Sequence, residues 1–142
     1  MMRVLLIDDH ALFRIGLKEL LERRGIAVVA AVGDCDAGIR RVSETKPDVV
    51  LLDMRMPKAS GLDVLRRLRA AKHTMPVVML TTSDDERDLI ESLQEGAQGY
   101  LLKDMEPDEL IAASQRARVN HFAPPIGSMR TNRRDEPPGS RP

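Results

Sequence analysis

The sequence predicts an α/β protein, a five-stranded parallel sheet with helices on both faces. Five short apolar runs recur along the chain: VLLI at 4–7, IAVVAAV at 26–32, VVLL at 49–52, PVVML at 76–80 and GYLL at 99–102. None alternates with polar residues, which is the pattern of strands covered on both faces. The segments between them carry helical periodicity, and strand followed by helix, repeated along a chain, builds a parallel sheet through right-handed crossovers.

Each element can be justified in turn. VLLI runs into Asp8 and Asp9, and residues 11–23 then set Phe13, Leu17, Leu20 and Leu21 on one side, leaving Arg14, Lys18 and Glu22 on the solvated remainder. Gly25 ends that helix and Asp34 caps the next, which follows the second run. The third run stops at Asp53; Ser60 is the expected cap of a helix over 61–70 that turns Leu62, Leu65 and Leu68 inward. After the fourth run and Thr81, Ser83 is the expected cap of a helix over 84–95 that buries Leu89, Ile90 and Leu93, with Gly96 and Gly99 punctuating its end. GYLL leads into Lys103 and a last helix whose inward face is Leu110, Ile111, Ala113 and Ala117; Ser114 is weaker there than leucine, and the helix is expected to stop near Asn120.

A length of 142 residues suits one domain and an appendage. Lys plus Arg and Asp plus Glu each number 22, so no global field argues for nucleic acid or an anionic membrane. Cys35 is the single cysteine, which excludes an intramolecular disulfide and suits a reducing, cytoplasmic setting. The run Val4–Ile7 is far short of a signal-peptide core or a membrane span, so a soluble chain with no membrane partner is expected. From Ala123 to Pro142 there are five prolines, four arginines and few large apolar residues, a composition that cannot offset ordering entropy. The expected division is a folded unit over 1–121 and a disordered Pro/Arg-rich tail over 122–142.

Chemistry is expected at the carboxyl edge of such a sheet, where ligands bind near the point at which strand order reverses. Asp8 and Asp9 end the first strand, Asp53 the third, Thr81 the fourth and Lys103 the fifth. If the first and third strands are neighbours, roughly 5 Å apart, three carboxylates share one cleft. Their repulsion is relieved by a divalent cation, and all-oxygen donors suit Mg²⁺. Taken singly, each residue has an ordinary reading as a helix cap, a strand-favouring threonine or a solvated lysine. Five at matching strand ends mark a site.

The motifs IDDH at 7–10, VVLLDMRMP at 49–57 with Gly61, VVMLTTS at 77–83 and GYLLKD at 99–104 together resemble the receiver domain of two-component response regulators. LIDDHALFRIGLKELL with GYLLKDMEPDEL is similar to the NarL/FixJ-type subfamily, and the likeness covers roughly residues 2–113. The resemblance implies the flavodoxin-like receiver fold with strand order 2-1-3-4-5. It implies Asp53 as phosphoacceptor, and Mg²⁺ held by Asp8, Asp9, Asp53 and the backbone carbonyl of Arg55. Thr81 is then the switch hydroxyl, Lys103 the partner of the phosphoryl group, and Tyr100 the switch aromatic that moves inward on phosphorylation. The implied partner is a cognate histidine kinase and the implied output a process such as transcription. Phosphotransfer and dephosphorylation are self-catalysed, so the chain is not expected to be an enzyme in the ordinary sense, and a homodimer on phosphorylation is left open.

Regulators of this subfamily ordinarily carry a helix-turn-helix domain after the receiver, which residues 122–142 cannot form. No sequence-specific DNA binding is therefore expected of this chain, and a stand-alone receiver and a truncated or frame-altered regulator both stay open. Among rivals, an Asp-nucleophile phosphatase of the haloacid dehalogenase type needs a second Asp two residues on, where Arg55 stands. A dinucleotide site needs G-x-G-x-x-G where the chain has DDHALF. A vestigial receiver that binds partners without phosphorylation remains an alternative. His10 needs no catalytic role, Met54 and Met56 read as gap-fillers, Pro57 and Gly61 as shapers of the loop after Asp53, and the Lys103–Asp104 bond as open between cis and trans.

Overall fold

The computed structural model describes residues 1–82 and 85–119. Five strands alternate with five helices: β1 (Arg3–Ile7), α1 (Ala11–Arg23), β2 (Ala27–Val32), α2 (Cys35–Thr45), β3 (Val49–Asp53), α3 (Gly61–Ala70), β4 (Val77–Thr81), α4 (Glu86–Gln94), β5 (Gly99–Leu102) and α5 (Pro107–Val119). All pairings are parallel and the order is β2-β1-β3-β4-β5, as the resemblance implied. The expected disordered tail at 122–142 and the stop near Asn120 lie outside the described residues.

Side-chain alternation along the strands sorts the sheet into two faces. Leu5, Ile7, Val50, Leu52, Val77, Met79 and Tyr100 pack with Val42, Leu65, Leu68 and Leu89 from α2, α3 and α4. Val4, Leu6, Val49, Leu51, Val78, Leu80 and Leu101 pack with Leu17 and Leu21 of α1 and with Leu110, Ile111, Ala113 and Ala117 of α5. β3 and β4 are buried at every residue. The edge strand β2 departs from the expectation of strands covered on both faces: only Ala30 of its residues is buried. Its single neighbour and its small alanines leave that flank thin.

Chain reversal places β1 and β3 side by side while their following helices leave in opposite directions, which opens the cleft at the switch point. The register levels the strand ends across it, with Ile7 opposite Leu52, Asp53 opposite Leu80 and Thr81 opposite Leu102. Asp8, Asp53, Thr81 and Lys103 therefore finish at one edge.

Three local expectations are corrected. The fourth helix begins at Glu86 with Asp85 as its cap, accepting from the Arg87 amide, while the expected cap Ser83 lies outside the described residues. Ile90 is 47% exposed, because one residue past Leu89 turns it about 100° away from the sheet. Ser92 is buried instead, its hydroxyl bonded to the Asp88 carbonyl at 2.8 Å. Gly99 opens β5 rather than ending a helix; the turn after α4 is made at Gly96, at φ 102°. Ser60 caps α3 as expected, with Asp63 completing a capping box. Ser114 is fully buried, its hydroxyl satisfied by the Leu110 carbonyl at 2.9 Å. The Lys103–Asp104 bond is trans, as are all described peptide bonds.

Candidate functional site

Asp8 leaves the sheet at the top of β1, where its amide still pairs with the Val32 carbonyl at 2.9 Å. Its carbonyl accepts from the Arg14 guanidinium at 2.6 Å, and its Oδ1 accepts the His10 amide at 2.8 Å. These bonds pin the turn into α1 and leave Oδ2 directed at Lys103, whose Nζ is 2.8 Å away. Asp53 ends β3 almost wholly buried, with Oδ1 3.3 Å from Lys103 Nζ and accepting the Arg55 amide at 3.3 Å. α3 presses on its backbone: a Cβ on Gly61 would lie 2.3 Å from the Asp53 carbonyl oxygen, so only glycine admits this approach.

Lys103 is the cation of the pocket, not the solvated strand-end lysine of the ordinary reading. Its side chain is 7% exposed, bridges Asp8 and Asp53, and sets Nζ 4.7 Å from the centroid of the Phe13 ring. One ammonium does not balance the carboxylates. Asp8 Oδ2, Asp9 Oδ1 and Asp53 Oδ2 are buried without a hydrogen-bond partner, the Lys103 contact to Asp8 being an ion pair outside hydrogen-bond alignment. Burial, and then the charge of Asp8, push the Asp53 carboxyl from 3.8 up to about 6 against the opposing pull of Lys103. Side-chain ligand atoms of Asp8, Asp9, His10 and Asp53 all lie within 4.8 Å of one another. An open cleft of about 370 Å³ adjoins Asp9, with Pro57 and Lys58 of the loop after β3 on its wall.

Thr81 and Tyr100 lie on the neighbouring strands β4 and β5. Thr81 is fully buried at the end of β4, one residue past the register partner of Asp53. Tyr100 is 4% exposed. Its ring belongs to the core cluster that also contains Val50, Val77 and Leu89. Burial also pushes the Tyr100 hydroxyl pKa up.

Asp8, Asp9, Asp53 and Lys103 converge as the sequence reading expected, and Thr81 and Tyr100 share the same sheet edge. Arg55 contributes more than backbone: its guanidinium reaches Asp88 of α4 at 2.5 Å, tying the loop after β3 to that helix. Sequence reasoning missed two groups. Arg14, assigned to the solvated face of α1, lies over Gly33, where a Cβ would stand 2.9 Å from its guanidinium, and holds the Asp8 carbonyl. His10 sets Nδ1 3.1 Å from Lys103 Nζ and 4.0 Å from Asp53 Oδ2. Their spacing of four, which stacks two side chains on one side of a helix start, was the available signal.

A parallel sheet in the order β2-β1-β3-β4-β5 that gathers a buried aspartate, an acid pair and a lysine at its switch point has the architecture of a receiver domain. The chain belongs to the response regulator receiver domain family, whose model matches residues 4–115. It is 38% identical over 120 residues to the nitrate/nitrite response regulator protein NarL of Escherichia coli, covering 84% of this chain and 56% of that one. It is 45% identical over 116 residues to a nitrate/nitrite response regulator protein homolog of Haemophilus influenzae, covering 81% and 56%. The chain thus spans about half the length of the curated relatives it matches. A two-component response regulator of the LuxR family from Aurantimonas sp. SI85-9A1 superposes with a TM-score of 0.79 at 30% identity, over 91% of this chain and 97% of that structure. The protein is a receiver domain of the NarL-like response regulators. Among the described residues, no helix is long and apolar enough to cross a membrane.

Proposed function

We propose that the chain accepts a phosphoryl group on Asp53 from a histidine kinase, with Mg²⁺ in the acidic pocket, and passes the change to an output such as transcription. The observation that carries this is the set of three buried carboxylate oxygens, one each from Asp8, Asp9 and Asp53, around a single ammonium that pairs with Asp8 Oδ2 and leaves Asp9 Oδ1 and Asp53 Oδ2 without a partner. Such a set is electrostatically incomplete, and its hard oxygen donors fit a small divalent cation. Asp8, Asp9, Asp53 and the carbonyl of Arg55 would hold the ion. When bound, Mg²⁺ supplies positive charge that lowers the Asp53 pKa and screens the incoming phosphoryl oxygens.

The chain's own residues do the remainder by position and charge, which is what phosphoryl transfer chiefly requires. An Asp53 carboxylate oxygen forms a bond to phosphorus as the phosphorus–nitrogen bond of the donor phosphohistidine breaks, and the imidazole leaves with that electron pair. Lys103 Nζ, already 3.3 Å from Asp53 Oδ1, neutralises a phosphoryl oxygen. The Thr81 hydroxyl turns toward another, which biases β5, with its buried Tyr100, and α4 toward a second arrangement. The product is a hydrolysable acyl phosphate, so the mark is temporary. The expected functional unit is residues 1–121.

The test is labelling by acetyl phosphate. Mg²⁺ should permit incorporation of one phosphoryl group per chain and EDTA should abolish it; incorporation that persists at the same rate in EDTA contradicts the metal-assisted reading.

A further inference from the structure

We propose that His10 is a nitrogen ligand of the acidic pocket, making it a mixed nitrogen and oxygen site that favours transition-metal dications over Mg²⁺ more strongly than three carboxylates alone would. The inference rests on the metal-binding reading above and goes beyond it in ligand set and ion preference.

Three features point to His10. It occupies the N-cap position of α1, yet its side chain makes no capping bond, so the ring is not engaged with the helix end. The bond from its amide to Asp8 Oδ1 turns the residue back over the carboxylates. Nδ1 consequently lies 3.6 Å from Asp8 Oδ1, 3.9 Å from Asp9 Oδ1 and 4.0 Å from Asp53 Oδ2. Its contact at 3.1 Å is the Lys103 ammonium, which has only protons to donate, so the Nδ1 lone pair faces the pocket.

The buried oxygen Asp53 Oδ2, which has neither a hydrogen bond nor an ion pair to Lys103, gives this cluster the incompleteness that a ring near acids does not show by itself. Imidazole is a borderline donor that suits Zn²⁺, Cu²⁺, Fe²⁺ and Ni²⁺ better than Mg²⁺ or Mn²⁺, whose preference is for oxygen. Nδ1 can serve Lys103 or an ion but not both. Ion entry therefore frees Lys103 Nζ for the phosphoryl group, coupling metal binding to the position of the lysine.

Pulsed EPR with Mn²⁺, and competition titrations of Ni²⁺ against Mg²⁺, test this on the full chain. Mn²⁺ bound to the wild type should show the ¹⁴N coupling of one coordinated imidazole, absent from His10→Gln. The Mg²⁺-to-Ni²⁺ dissociation-constant ratio should fall about tenfold in that variant. Unchanged melting of His10→Gln without metal would show that its fold is kept, as expected for a side chain 62% exposed. Mn²⁺ binding without ¹⁴N coupling, at equal Mg²⁺-to-Ni²⁺ ratios in both proteins, overturns the His10 assignment and leaves the carboxylate site standing. Binding of none of these ions to the wild type, or unchanged binding of all of them to Asp9→Ala, overturns the two readings together.

Discussion

Burial and the charge of Asp8 hold the Asp53 carboxyl near pKa 6, above its ordinary 3.8, so its charged form is disfavoured by the fold. A raised folded-state pKa means that stability is fully present below about pH 4 and declines as pH rises through about 6. Without metal, Asp53→Asn should therefore melt higher than wild type at pH 7.5, by roughly 5 °C, with the gap closing at pH 4. A gap that widens toward pH 4 in differential scanning calorimetry contradicts the assignment. Mg²⁺ should reverse the penalty, raising the wild-type melting temperature but not that of Asp9→Ala. At this scale the acids and Lys103 were legible because each follows an apolar run directly. His10 and Arg14 were not, since side-chain direction at a helix start depends on the turn made by Asp8 and Asp9. Nor could the sequence show that Tyr100 is already inside.

Among the elements, α3 is the one that braces the acceptor strand. Gly61→Ala places a methyl group against the Asp53 carbonyl, a backbone atom that no rotamer change can move, and should cost about 1–3 kcal/mol. It should slow acetyl phosphate labelling along with the drop in melting temperature; labelling at the wild-type rate would show that the Asp53 backbone is not positioned this way. Tyr100 is the only tyrosine and the chain has no tryptophan, so intrinsic fluorescence reads the surroundings of Tyr100 without interference. Phosphorylation should change that emission in the wild type and leave it unchanged in Thr81→Ala. Capping signals predicted α3 accurately, because Ser60 and Asp63 act locally. For α4 the pattern misled: Leu89, Ile90 and Leu93 read as one apolar face, but the chain buries Ser92 against Met54 and leaves Ile90 outside.

Across the described residues, two cores lie on opposite faces of the sheet, built from residues between Met2 and Ala117. From the Pro/Arg-rich composition of residues 122–142, a chain ended after residue 121 should melt within about 2 °C of the full chain; a larger loss would assign residues 122–142 to the folded unit. The alternation of apolar runs with amphipathic helices made the fold class legible. Strand order was not in that alternation and came from the motif resemblance. The thin flank at β2 escaped the reading because an uninterrupted apolar run does not say whether a strand is central or at an edge.

The acceptor role of Asp53 is tested most directly by mapping the phosphoryl group after incubation with acetyl phosphate and Mg²⁺. One hydroxylamine-sensitive phosphoryl group should be found on the peptide containing Asp53, and Asp53→Asn, folded by circular dichroism, should take up none. Equal hydroxylamine-sensitive labelling of wild type and Asp53→Asn would contradict the account.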